Sequence, residues 1–166
     1  EVYVDDVKND FAILKDANNL KDYVKSYLSG TLGSGLAYLA MIAEGYVWCD
    51  HFENQTGGNS ACNRRPDFVF EGLATGVALM EAKGSRSGSR KDFDKRVLDG
   101  YVGQISPHLG HLIGGKMAIR GYSFGSWMKP VRKAAMRVHY TAPPPKNVTN
   151  INPFGSPSSS IIQQNY

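Results

Sequence analysis

The chain has 166 residues, 42% hydrophobic and 20% charged, which suits a folded domain whose core needs no disulfide or metal staples and excludes a disordered one. No apolar run approaches the about 20 residues that span a bilayer, because the longest, "LAYLAMIAEGYVW", is interrupted by Glu44 and Gly45, so no membrane partner is expected. The net charge of +4 is unevenly spread: residues 1–100 hold 12 Lys/Arg against 15 Asp/Glu, whereas residues 101–166 hold seven Lys/Arg and no acid, a surface for a polyanion or simply a solvated basic face.

The opening "EVYVDDVKNDF" is acidic, unlike a secretory signal, and starts without Met, as an excised domain or a processed piece would. Its weak alternation reads as a short strand or an extended arm. "DANNLKDYVKSYLSG" spaces Leu20, Tyr23, Val24, Tyr27 and Leu28 as a helix, which Gly30 can end. "GTLGSG" reads as a flexible joint, and "GLAYLAMIAEG" as a second, buried helix ending at Gly45. Glu44 falls in the last turn of that helix, where the dipole disfavours an acid, so another partner is expected for it. "YVWCDHFE", "DFVFEG" and "GVALMEAKG" read as three strands.

A further helix follows in "DFDKRVLDGYVGQISPHLGHL", with Phe93, Val97, Tyr101 and Ile105 on one stripe and Val102 beside it, and Pro107 ends or bends it. "KMAIRGYSF" and "AAMRVHYT" close the order as strands. The expected fold class is α/β: a mixed central sheet flanked by helices behind an N-terminal helical extension, as a single domain over 1–141. From Ala142 the chain turns rich in Pro, Ser and Asn, so residues 142–166 read as a tail.

Cys49, His51 and Cys62 lack a clear fourth zinc ligand, which leaves incidental thiols or a disulfide as the readings. His108 and His111 straddle a helix end and read as polar trim. Neither an H-E-x-x-H pattern nor a catalytic serine elbow occurs.

Chemistry concentrates in "RRPDFVFEGLATGVALMEAKGS". Asp67 enters one strand and Glu81 leaves the next, so antiparallel pairing brings the two carboxylates together. Glu81 and Lys83 are two apart and share a face, while Ala82 points its side chain into the core and leaves its carbonyl as a further ligand. Two carboxylates and a carbonyl suit Mg²⁺, with Mn²⁺ as a substitute, and a lysine nearby can steady a water or a phosphate. A plain acid–base pair at a hairpin end is the simpler alternative. Arg64 and Arg65 grip phosphate or face water. Arg86, Arg90 and Lys91, on and just after a Gly/Ser loop, can track a nucleic-acid backbone. So can Lys129, Arg132 and Lys133, interleaved with Tyr122, Phe124 and Trp127, although those aromatics also suit a core.

"RPDF" followed by "MEAKG" resembles the PD-(D/E)xK phosphodiesterase superfamily, of restriction-endonuclease-like fold, and residues 35–140 follow its core order of helix, three strands, helix, strand. The resemblance implies a metal-dependent nuclease in which Asp67 and Glu81 hold the metal and Lys83 is the catalytic lysine. It further implies a supporting acid at Glu44, itself a possible ligand, and a supporting amide at Gln104. An exposed Glu44 and an ordinary polar Gln104 stay open. Where a subset of the family has Tyr four residues after that Gln, this chain has His108, so the Tyr role is not carried over. DNA is expected as the substrate ahead of RNA. The alternative is a non-catalytic nucleic-acid-binding or assembly module on the same fold. Domains of this kind also occur as toxins of bacterial effectors, which would imply action in the cytoplasm of a target cell after delivery and an acidic immunity protein as partner.

Overall fold

The structure, a computed structural model, describes residues 4–5, 12–13, 17, 19–72, 75–85, 89–127 and 135–140. Arg86, Lys129, Arg132, Lys133 and the tail 142–166 lie outside the described residues. The fold is mixed α/β. Strands β1 (Val4–Asp5) and β2 (Ala12–Ile13) pair antiparallel as a two-stranded sheet. Helix α1 (Asp22–Ala43) leads into β3 (Val47–His51), β4 (Phe68–Glu71) and β5 (Val77–Ser85). Helix α2 (Arg90–Gly100) continues as a π-turn at Tyr101–Ile105 and a 3-10 turn at Ser106–His108. Then come β6 (Leu112–Ile113), β7 (Lys116–Trp127) and β8 (Ala135–Tyr140).

The main sheet runs β3-β4-β5-β7-β6, with β8 also paired to β7. β3, β4 and β5 form an antiparallel meander, whereas β7 lies parallel to β5 after the crossover through α2. The alternation of side chains along β5 gives the sheet two cores. Ala78 and Met80 pack with Ala37 and Met41 of α1, Phe70 and Phe124. Val77 and Leu79 pack on the other side with Val69, Tyr101 and Ile105. The stripe read from the sequence is buried at Phe93, Val97, Tyr101 and Ile105, while Val102 is exposed.

One expectation is corrected here. The segments read as two helices and a glycine joint form the single helix α1, which runs through Gly30, Gly33 and Gly35. Each interior glycine costs a helix roughly 0.5–1 kcal/mol relative to Ala. The return comes from packing, because Ser29, Gly33, Ala37 and Met41 recur every four residues as the buried stripe of α1. A Cβ on Gly33 would lie 3.1 Å from the Gly84 Cα, and a Cβ on Gly84 would collide with the Ser29 carbonyl oxygen. Helix and strand therefore touch backbone to backbone, and glycine is required by contact rather than by a bend. The other end of α1 follows the sequence rule: Gly45, at φ 86°, stops the helix.

Candidate active site

Asp67 immediately precedes β4, and Phe68 is in register with Met80, so Asp67 falls beside Glu81 at the end of the paired segment. The contacts are reciprocal. The Asp67 backbone N–H donates to Glu81 Oε2 at 3.1 Å, and the Ala82 N–H donates to Asp67 Oδ2 at 2.9 Å. Ala82 packs its methyl toward the α1 side. Its N–H faces Asp67, and in a strand the carbonyl of the same residue points to that same edge. Lys83 Nζ donates to Glu81 Oε1 and, at 2.9 Å, to Gln104 Oε1. The amide of Gln104 is fixed at its other end by donating from Nε2 to the Arg65 carbonyl at 2.8 Å.

Glu81 is only 1% exposed. Burial, joined by the neighbouring Asp67 carboxylate, pushes its carboxyl up to about 7, against the opposing pull of Lys83 and Gln104. A buried acid with a second acid beside it is short of positive charge, and one ammonium supplies part of it. Helix α2 closes over this cluster at Gly100, where a Cβ would stand 2.8 Å from Ser123 Oγ, 3.3 Å from Lys83 Cε and 3.4 Å from Glu81 Cγ. Any larger residue would press on the site. The π-turn after Gly100 carries Gln104, in keeping with the frequent use of such turns at functional positions.

Four of the five candidate catalytic residues thus meet: Asp67, Glu81, Lys83 and Gln104. Glu44 does not. It is the exposed cap at the C-terminus of α1, lining a cleft with Tyr46, Gly76, Val77 and Arg120. That places it at the start of β5, about 13 Å along the strand from Glu81. Glu44 is exposed there, and solvent screens the unfavourable dipole.

Among the candidate phosphate readers, Arg64 and Arg65 flank the site. Arg64 Nη2 reaches Gln104 Oε1 at 3.4 Å. Arg90 and Lys91 are exposed in the first turn of α2, a helix length of about 15 Å from Gly100. The aromatics offered for stacking pack inward instead. Phe124 is buried, Tyr122 stacks on it, and Trp127 stacks on Phe93 at 5.7 Å.

Protein-family models, curated proteins and solved structures give no match to this chain.

Among the described residues no group of three or more His, Cys, Asp and Glu side chains is placed to hold a metal. Asp67, Glu81 and the Ala82 carbonyl are oxygen donors, the kind that a hard, water-rich cation such as Mg²⁺ takes. Cys49 and Cys62 are both free and half-buried; Cys49 contacts Glu71, and Cys62 donates to the Arg64 carbonyl at 3.2 Å. No helix among the described residues is long and apolar enough to cross a membrane.

The residue that sequence reasoning undervalued is His108, which is 1% exposed and hydrogen-bonded through both ring nitrogens. Its spacing of four from Gln104 was the available signal, since that interval returns to one side of a helix.

Proposed function

We propose that the chain is a Mg²⁺-dependent nuclease of the PD-(D/E)xK type, built on a restriction-endonuclease-like core and hydrolysing phosphodiester bonds, with DNA as the expected polymer. The observation that carries this reading is the reciprocal contact of Asp67 and Glu81 at one strand end, with Lys83 on the same face. The order of helix, antiparallel meander, helix and parallel strand supports the same reading.

Asp67, Glu81 and the Ala82 carbonyl would hold the ion. Once bound, it would neutralise charge on the phosphate and lower the pKa of an attacking water. The chain's own residues do the rest. Asp67 is held in place by the Ala82 N–H, so its carboxylate needs no reorganisation to act as a ligand. Lys83, steadied by Gln104, keeps a cation beside the carboxylates, where it can orient the water and draw in a phosphate oxygen. Arg64 and Arg65 meet the backbone on the flank of the site.

The second reading, a nucleic-acid-binding module without catalysis, draws on the absence of a third carboxylate among the described residues at the site. Incubation of plasmid DNA in Mg²⁺ or EDTA, with wild type, Asp67→Ala and Lys83→Ala, separates the two. Cutting is expected only for wild type in Mg²⁺. Intact plasmid from folded wild type in both Mg²⁺ and Mn²⁺ rejects the nuclease, and undiminished cutting by both variants rejects this site.

A further inference from the structure

His108 is buried against Phe52, with ring centroids 4.9 Å apart. Its Nδ1 accepts the Asn59 N–H at 3.0 Å, so the ring proton sits on Nε2, which donates to the Arg64 carbonyl at 2.9 Å. Asn59 returns a bond from Nδ2 to the Pro107 carbonyl at 3.1 Å. Gly58, at φ 85°, lets the loop pass over the ring; a Cβ there would stand 3.0 Å from His108 Nδ1 and 3.0 Å from Phe52 Cζ. One imidazole thus ties both ends of the segment from Asn59 to Arg64. Gln104 Nε2 ties the next carbonyl, that of Arg65. With both nitrogens engaged, His108 has none left for a metal or for proton transfer.

What this clamp holds is informative. The Arg64 guanidinium lies against Gly103, where a Cβ would be 2.5 Å from Nη1 and 2.9 Å from Cζ. It shares Gln104 Oε1 with Lys83. The two cationic heads are therefore no farther apart than those two hydrogen bonds laid end to end. Among the described residues Arg64 forms no ion pair. Lys83 already has the Glu81 carboxylate as its counter-ion, whereas Arg64 beside it has only the neutral Gln104 oxygen. An oxyanion reaching both heads would supply the charge that Arg64 lacks.

We propose that Arg64 and Lys83 frame a subsite for one phosphate of a nucleic-acid backbone, and that His108 is the positioning residue that holds Arg64 in it. The naming of the ligand rests on the nuclease reading; the clamp does not.

Binding of a short fluorescein-labelled DNA duplex is measured in EDTA, where no metal-dependent cutting occurs, for wild type, Arg64→Ala, His108→Phe, His108→Gln and the Arg64→Ala/His108→Phe double variant. Arg64→Ala is expected to weaken binding about tenfold, the loss of one charge-assisted contact. His108→Phe should weaken it comparably, His108→Gln less, and the double variant no further than Arg64→Ala alone. Additive losses, wild-type binding by folded His108→Phe, or no duplex binding by wild type overturns the proposal. Nitrogen-15 NMR of wild type should show neutral His108 protonated at Nε2; protonation at Nδ1 overturns the clamp whether or not the Phe variant folds. Intact plasmid together with this binding pattern would reject the nuclease and leave the subsite standing.

Discussion

The two faces of β5 do different work. Toward α1 the strand presents Ala78, Met80, Ala82 and finally Gly84, all small or apolar, and contact there tightens until backbone meets backbone. Toward α2 it presents Val77 and Leu79, then Glu81 and Lys83, so an apolar face turns ionic within one strand. The first face makes up in close packing what the second forgoes by burying a carboxylate at 1% exposure. A buried acid persists in a marginally stable protein only when its polar atoms find partners, and here the Asp67 N–H and Lys83 supply them.

The sharpest way to break this comparison is Glu81→Gln, which preserves shape and removes charge. On the proposed nuclease reading, cutting of plasmid DNA should fall on the order of a hundredfold or more, the scale of losing a charge-stabilising group from a water-poor site. Thermal melting of the same variant in EDTA should show no loss of stability at pH 8. A variant that melts well below wild type there would make Glu81 a packing residue, and the two faces would not differ as described.

Next in size is Gly84→Ala, on the other face. Its Cβ meets a carbonyl oxygen rather than a movable side chain, so the cost should reach about 3 kcal/mol, the upper part of the overpacking range. Urea denaturation reads it as a lower midpoint. A cost within about 0.5 kcal/mol would mean that α1 shifts freely and that the contact is not tight.

The pH dependence sharpens the comparison further. Glu81 titrates near 7 in the folded chain, against an ordinary value of 4.5. For a group with a raised folded-state pKa, its contribution to stability is fully present below pH 4.5 and is lost as pH rises through about 7. Measured in EDTA, the stability of wild type relative to Glu81→Gln should therefore decline across that window. A flat difference would contradict the desolvation of Glu81. The smallest effect belongs to Glu44→Gln, which should change plasmid cleavage by less than about twofold and stability by less than about 0.5 kcal/mol. A larger loss of cleavage would return Glu44 to the site.

The parts legible in the sequence are those set by local pattern. Alternation along "GVALMEAKG" gives β5 and places Glu81 and Lys83 on one face, and Pro66-Asp67 before an apolar run gives the facing strand end. Long-range contact decides what was misread. Gly33 resembles a joint because the residue that requires it, Gly84, is about fifty positions away. Glu44 looks anomalous on the dipole argument because exposure, which removes the anomaly, is a tertiary property. Tyr122, Phe124 and Trp127 fit either a stacking surface or a core by sequence, and their ring partners decide for the core. His108 passes as trim because its partners, Asn59 and Arg64, come from a loop with no periodicity to read.

The contact between Gly33 and Gly84 also bears on how the molecule opens. A helix with glycines at 30, 33 and 35 is a poor helix alone, so α1 takes its stability from the strand it touches. Helix and strand should then unfold as one cooperative unit. In hydrogen exchange, amides in the middle of α1 should open with the same free energy as those at Leu79 and Met80, far from the fraying expected of a surface helix. Glu81 of the carboxylate pair sits on that same strand, so the pair would come apart whenever the unit opens.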